Sequence, residues 1–203
     1  MYIPKHFLVE DRAQIFDFIN NNGFGILFST HNNCPYASHL PFFLDKDEEY
    51  LYSHFARPNE QWKDIQGQNA MVVFTGPHSY ISSSWYETNQ SVPTWNYVAV
   101  HVYGRIEIIN EQNEIINSLE RLVQKYEEPN SPYKLDKSNV MFIEGLSRGI
   151  VTFKMKIDKL EGKWKLSQNH SEDRQRRVIE RLEKSENQDA REISKLMRNN
   201  KKS

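Results

Sequence analysis

The segment "VPTWNYVAVHVYGRIEII", residues 92 to 109, alternates with a period of two along its length, which demands one long strand whose two faces differ in kind. Val98, Val100, Val102, Ile106 and Ile108 give it an ordinary core face. Trp95, Tyr97, Ala99, His101, Tyr103 and Arg105 give it a second face, too aromatic for open water and too polar for a core. A chain built round such a strand must supply something for the second face to meet.

The neighbouring segments read as further strands: 24 to 30, 36 to 45, 49 to 56, 69 to 76, 79 to 86 and 148 to 169. They are short and joined by brief turns such as "THNNCP" and "DKDE", the pattern of an antiparallel barrel or sandwich. Helical spacing predicts a helix within "VEDRAQIFDFINNNG", a short one over 59 to 66 and a longer one over 111 to 127, the last ending before Pro129. From Ser171 onward aromatic residues, proline and glycine vanish. A thin apolar stripe of Val178, Ile179, Leu182, Ile193, Leu196 and Met197 predicts one long or two shorter helices there. The fold class is therefore mainly β with helices (α+β): a barrel or sandwich domain over 1–170 and a C-terminal helical tail over 171–203, packing on that domain or on a partner subunit.

Composition narrows the function. A formal net charge of -1 gives no global attraction to nucleic acid or anionic lipid, so binding to either needs a local patch. The single cysteine, Cys34, excludes an intrachain disulfide framework and any zinc site built from several cysteines. Together with the lack of a leader-like or membrane-spanning apolar run, this points to a cytoplasmic protein with no membrane partner. The seven histidines show no paired-ligand spacing, and no nucleophile, base and acid stand at a supporting spacing, so neither a metal site nor a catalytic set is predicted.

Phosphate-cradling glycine motifs are also missing, and with eight glycines in all, a nucleotide would have to be gripped by side chains. Three stretches could do this. "SHFARPNEQW" brings His54, Arg57 and Asn59 to a strand end, either as donors converging on a phosphate or as a solvated turn with Asn59 as a helix cap. "DKLEGKWKLSQN" ends in Lys165, Ser167, Gln168 and Asn169, either as ligand donors or as a loop that caps the tail helix through Asn169 or Ser171. "SYISSSWYETNQSVPTWNY" mixes aromatic rings with hydroxyls, which suits a flat conjugated ligand or a subunit interface.

Taken together, "HLPFFLD", "LYSHFARPNEQW", "YISSSWY", "VPTWNYVAVHVYG" and "KLSQN" resemble the PaiB family of FMN-binding negative transcriptional regulators, from the first residues to the start of the tail. Serine stands before Trp85 where the family has proline. The resemblance implies an FMN-binding split β-barrel, a homodimer with flavin at the subunit interface, and a negative effect on protease synthesis and sporulation in a bacillus-like bacterium. It carries flavin contacts to His39, His54, Arg57, Asn59, Trp95, Asn96, Tyr97, Lys165, Ser167, Gln168 and Asn169, and interface roles to Trp95, Tyr97, His101 and Tyr103. DNA would be reached directly or through another protein. Two other functions fit a split barrel: an FMN-dependent oxidoreductase of the flavin reductase or pyridoxamine phosphate oxidase kind, and a haem-binding or haem-degrading protein.

Overall fold

The computed structural model describes residues 1–136 and 138–200; Lys137 and the last three residues of the predicted tail lie outside the described residues. The chain divides into two units. One comprises Phe16–Phe74 and His101–Leu160; the other comprises Met1–Ile15, Thr75–Val100 and Glu161–Ser203.

Among the described residues eight strands form one sheet: β1 (Leu8–Val9), β2 (Phe24–His31), β3 (Cys34–Pro41), β4 (Phe43–Leu44), β5 (Tyr50–Ala56), β6 (Asn69–Ile81), β7 (Thr94–Ile108) and β8 (Ile150–Lys165). The order is β3-β2-β6-β7-β8-β5-β4, with β1 added on β8. Five α-helices accompany them among the described residues: α1 (Arg12–Asn21), α2 (Gln112–Tyr126), α3 (Val140–Ser147), α4 (Glu172–Glu183) and α5 (Gln188–Asn200).

In the unit that begins at Phe16, β2 and β3 make a hairpin in register from Phe24 opposite Pro41 to His31 opposite Cys34. Its two loop residues, Asn32 and Asn33, have φ of 50° and 60°. Paired left-handed residues match the right-handed twist of a tight hairpin, and asparagine tolerates them better than most side chains. At the next turn the Asp45 carboxylate accepts from the amides of Glu49 and Tyr50. β5 pairs antiparallel with β8, Tyr50 opposite Lys156 through Ala56 opposite Ile150. Between these strands lies a core of fully buried rings: Phe42 meets Phe74 at 5.6 Å and Phe55 stacks on Phe153 at 4.7 Å. At Gly104 on β7 the Lys156 carbonyl comes so close that an added Cβ would lie 1.9 Å from its oxygen.

In the other unit β1 pairs with the far end of β8, Leu8 opposite Lys163 and Val9 opposite Gly162, and the terminal ammonium pairs with Glu161. Ser171 caps α4 by accepting from the Arg174 amide. α4 and α5 pack together and bury Val178, Ile179, Leu182, Ile193 and Met197. Leu196 is only half-buried.

Several predicted boundaries move. The strands expected over 69 to 76 and 79 to 86 are one strand, Asn69–Ile81, followed by a short 3-10 turn at Ser83–Trp85. Pro77 is accommodated because pairing with β2 spans only Met71 to Val73, so no β2 carbonyl loses a donor at the proline. The expected helix over 59 to 66 is a single 3-10 turn, Glu60–Lys63. The expected strand over 36 to 45 breaks at Phe42, whose amide donates to the Gly23 carbonyl. Helix α3 was not anticipated.

Candidate functional site

The predicted site residues fall into two groups, one in each unit. In the first, β5 delivers His54 in register with Thr152 of β8, so the two side chains share a face of the sheet. Burial lowers the pKa of His54 and keeps its imidazole neutral near pH 7. The Thr152 hydroxyl is buried without a partner among the described residues. Immediately past β5 the Arg57 guanidinium donates through Nε to the Arg148 carbonyl at 2.5 Å and through Nη2 to the Ile150 carbonyl at 2.7 Å. Its face lies beside the Trp62 ring, 5.8 Å from the centroid. A guanidinium has about five N–H donors, so these two bonds orient Arg57 and leave the larger part of its fork unspent.

Asn59 takes up the role of a helix cap: its Oδ1 accepts from the Gln61 amide, and its Nδ2 donates to Ser38 Oγ at 2.8 Å. The fully buried Gln61 continues this network, donating to Ser29 Oγ at 2.8 Å, while its own Oε1 has no partner among the described residues. His39 follows Ser38 on β3 and therefore faces the other way. It is exposed and stacks on Phe24 at 6.3 Å. His54, Arg57 and Asn59 thus gather at one strand end, and His39 stands apart from the Asn59 network. His101 and Tyr103, also in this unit, touch each other through Nδ1 and the phenol oxygen at 3.4 Å.

In the second unit Trp95 is exposed and meets His78 and Tyr80 at 6.0 and 5.9 Å. Tyr97 lies beneath the Lys163 ammonium, 5.1 Å from the ring centroid. Asn96 is fully buried: its Nδ2 donates to Ser167 Oγ at 2.9 Å, and Ser167 returns a hydrogen bond to Asn96 Oδ1 at 3.2 Å. Ser167 has a φ of 65°, a left-handed conformation that a non-glycine residue holds only when its surroundings impose it. Gln168 closes the same turn, accepting from the Leu166 amide at 2.7 Å and donating to the Trp164 carbonyl at 2.6 Å. Lys165 is thereby held with its ammonium on Thr94 Oγ1 at 2.7 Å and on the Trp95 carbonyl at 2.6 Å. Burial, and then the Lys163 charge, lower its pKa below the ordinary lysine value. Asn169 is exposed at the mouth of this turn.

Sequence reasoning missed the polar residues that complete each group. Ser38, Gln61 and Thr152 lie on alternating strands or a cap and carry no local signal. His170 and Arg174 stand four apart on either side of the α4 cap, the one spacing that could have joined them to "KLSQN".

An antiparallel sheet in this order, with imidazole, guanidinium and hydroxyl groups at its strand ends, defines a protein of the split-barrel class. Residues 1–159 match the family described as "Putative FMN-binding domain". The chain is 40% identical over 201 residues to protease synthase and sporulation protein PAI 2 of Bacillus subtilis, covering 97% of this chain and 96% of that one. It therefore belongs to the FMN-binding PaiB family, and FMN is its cofactor. Among solved structures it is similar to the flavocytochrome Anf3 of Azotobacter vinelandii, at TM-score 0.60 and 12% identity over 80% of this chain and 72% of that one. It is similar also to the FAD and heme binding protein of Mycobacterium smegmatis, at TM-score 0.60 and 13% identity over 78% and 73%. At these identities the likeness is one of fold. No helix among the described residues is long and apolar enough to cross a membrane.

Proposed function

We propose that this chain is a cytoplasmic, homodimeric FMN-binding regulator that represses protease synthesis and sporulation functions. The observation that carries the reading is the 40% identity to the Bacillus subtilis protein across nearly the full length of both chains. The FMN phosphate is assigned to the group at the end of β5, because Arg57 there is oriented by two backbone carbonyls with donors to spare, and the neighbouring strand pair offers the unpartnered Thr152 hydroxyl. His54, neutral through burial, suits a hydrogen bond to an uncharged part of the ligand. Asn59 acts at one remove by fixing the loop, and exposed His39 with its Phe24 stack offers a flat surface. Bound FMN supplies a ring system that accepts and returns electrons, and the chain's own residues bind and orient it.

The homodimer rests on two amphipathic aromatic surfaces that a second copy would cover: in one unit the exposed Trp95, Tyr80 and His78 cluster with half-buried Tyr97, and in the other half-buried His101 and Tyr103. Sedimentation at micromolar concentration should give a dimer, weakened by Tyr103→Glu; a monomeric wild type overturns the dimer.

For the cofactor, flavin fluorescence titration should give FMN binding at least about tenfold tighter than riboflavin, since a charge-assisted hydrogen bond is worth roughly 1.5 to 3 kcal/mol. Arg57→Ala should erase most of that difference while keeping a cooperative melt. Equal affinity for the two flavins removes phosphate recognition from the reading. Loss of the chain from the cell should raise secreted protease activity, and unchanged protease and sporulation output would overturn the regulatory part.

A further inference from the structure

The unit that includes α4 and α5 contains a cavity of about 340 Å³ lined by Tyr86, Thr94, Lys165, Asn169, His170 and Arg174. Its charges do not balance. Arg174 is paired with Glu87 and lies over the Tyr86 ring at 4.6 Å, so that cation is already compensated. Lys165 has no carboxylate partner among the described residues; its ammonium donates to Thr94 and to a carbonyl, which leaves one of its roughly three N–H donors unspent. Lys163, two residues away on the same face of β8 and outside the lining, is buried, donates to the Tyr2 carbonyl and lies over the Tyr2 and Tyr97 rings, and adds its positive charge nearby. His170 carries no counter-charge to offer: burial first, then Arg174 and Lys165, lower its pKa. The Tyr86 hydroxyl is buried without a partner among the described residues.

A half-buried ammonium without a carboxylate partner among the described residues is costly unless a negative group joins it, and the cavity that Lys165 lines is the space in which one can. Its volume falls in the range of small-molecule sites and exceeds what a bare inorganic anion fills. Phe7, whose ring lies 5.7 Å from Lys165 Nζ, gives it an apolar wall. We infer that this cavity binds a small organic molecule through an anionic oxygen group, a phosphate or a carboxylate held by Lys165. The Asn96 to Ser167 pair is a positioning element that sets the turn carrying that lysine.

Calorimetric titration of the full chain with phenyl phosphate and with benzoate tests this, with benzyl alcohol as the uncharged control. Saturable binding of at least one anion and none of the alcohol is expected. Lys165→Met, which keeps the aliphatic stem, should weaken the anion at least about tenfold, while Lys165→Arg retains most of the affinity. Competition by FMN but not riboflavin would identify the flavin's own phosphate as the occupant and move the phosphate assignment from Arg57 to Lys165; simultaneous binding of FMN and anion would identify a separate metabolite. Absence of saturable anion binding, or indifference to Lys165→Met in a protein that melts normally, overturns the inference. FMN affinity is read independently by fluorescence, so failure here leaves the cofactor assignment standing, and failure of FMN binding leaves the anion site standing.

Discussion

Deleting residues 171–203 should lower the melting temperature by about 10 °C or more and leave the DNA affinity of any folded fraction unchanged. Val178, Ile179, Leu182, Ile193 and Met197 are each 3% exposed or less, and Met197 reaches the Asn96 amide with its sulfur at 3.6 Å. Removing the two helices strips cover from Asn96 and from the residues around the Ser83–Trp85 turn. Each buried apolar side chain is worth roughly 1.5 to 3 kcal/mol, and each kcal/mol shifts the melting temperature of a chain this size by about 2 to 4 °C. The arginines at the start of the tail argue against a DNA contact. Arg174 is paired with Glu87, Arg176 with Asp173 and Glu180, and Arg177 with Asp173. A phosphate would have to displace carboxylates already in place. A truncated chain that melts like the full one yet loses operator binding, with a salt slope flattened by about 0.9 per lost contact, would show that the tail is the DNA-binding element instead.

Gly104→Ala should cost at least about 3 kcal/mol by urea denaturation, at the upper end of overpacking penalties. The obstacle is the Lys156 carbonyl, 1.9 Å from the position of the new Cβ, and backbone cannot rotate aside as a side chain would. β7 and β8 would have to part where both are buried, around Val102, Ile106 and Met155. The control is Gly145→Ala in α3, where an added Cβ meets nothing within 4 Å. That change should stabilise by about 0.5 to 1 kcal/mol, since alanine is the better helix former. Equal urea midpoints for wild type and Gly104→Ala would mean that the strands do not approach as closely as described.

The alternation of β7 was legible because a strand's period survives into its burial: Val98, Val100, Val102 and Ile106 are buried, and Trp95 and Arg105 are exposed. It misled at Ala99, small enough to be covered on the nominally outer face, and at Ile108, half-exposed near the strand's end. Asn96 was legible as a site candidate but not as a core residue. Its burial depends on Ser167, 71 residues further on, and a local pattern carries no trace of such a partner. Asn59 shows the same limit in part: its capping role follows from the next two residues, whereas its bond to Ser38 follows from the register of β3. Arg57 looks free in the sequence because backbone carbonyls, which hold it here, are invisible to side-chain reasoning. α3 was passed over because "VMFIEGLS" is apolar on most sides; Met141, Phe142 and Leu146 remain exposed, so no single stripe announces the helix.

The division of the chain also sets a timetable for its birth on the ribosome. The unit built from residues 16–74 and 101–160 has all its pieces once Leu160 has been made. The other unit draws on residues 1–15, 75–100 and everything after 161, so its earliest residues must wait for its latest. Leu8 and Val9 find their β8 partners only when Gly162 and Lys163 emerge, and the Lys165 turn cannot close on Asn96 before Ser167 does. Domains fold as units during synthesis, and contacts this distant in sequence form slowly. The nascent protein therefore passes through an interval in which one half has every strand it needs while Asn96 stands uncovered, and the tail, which brings Met197 onto that amide, is the last piece whose arrival ends the exposure.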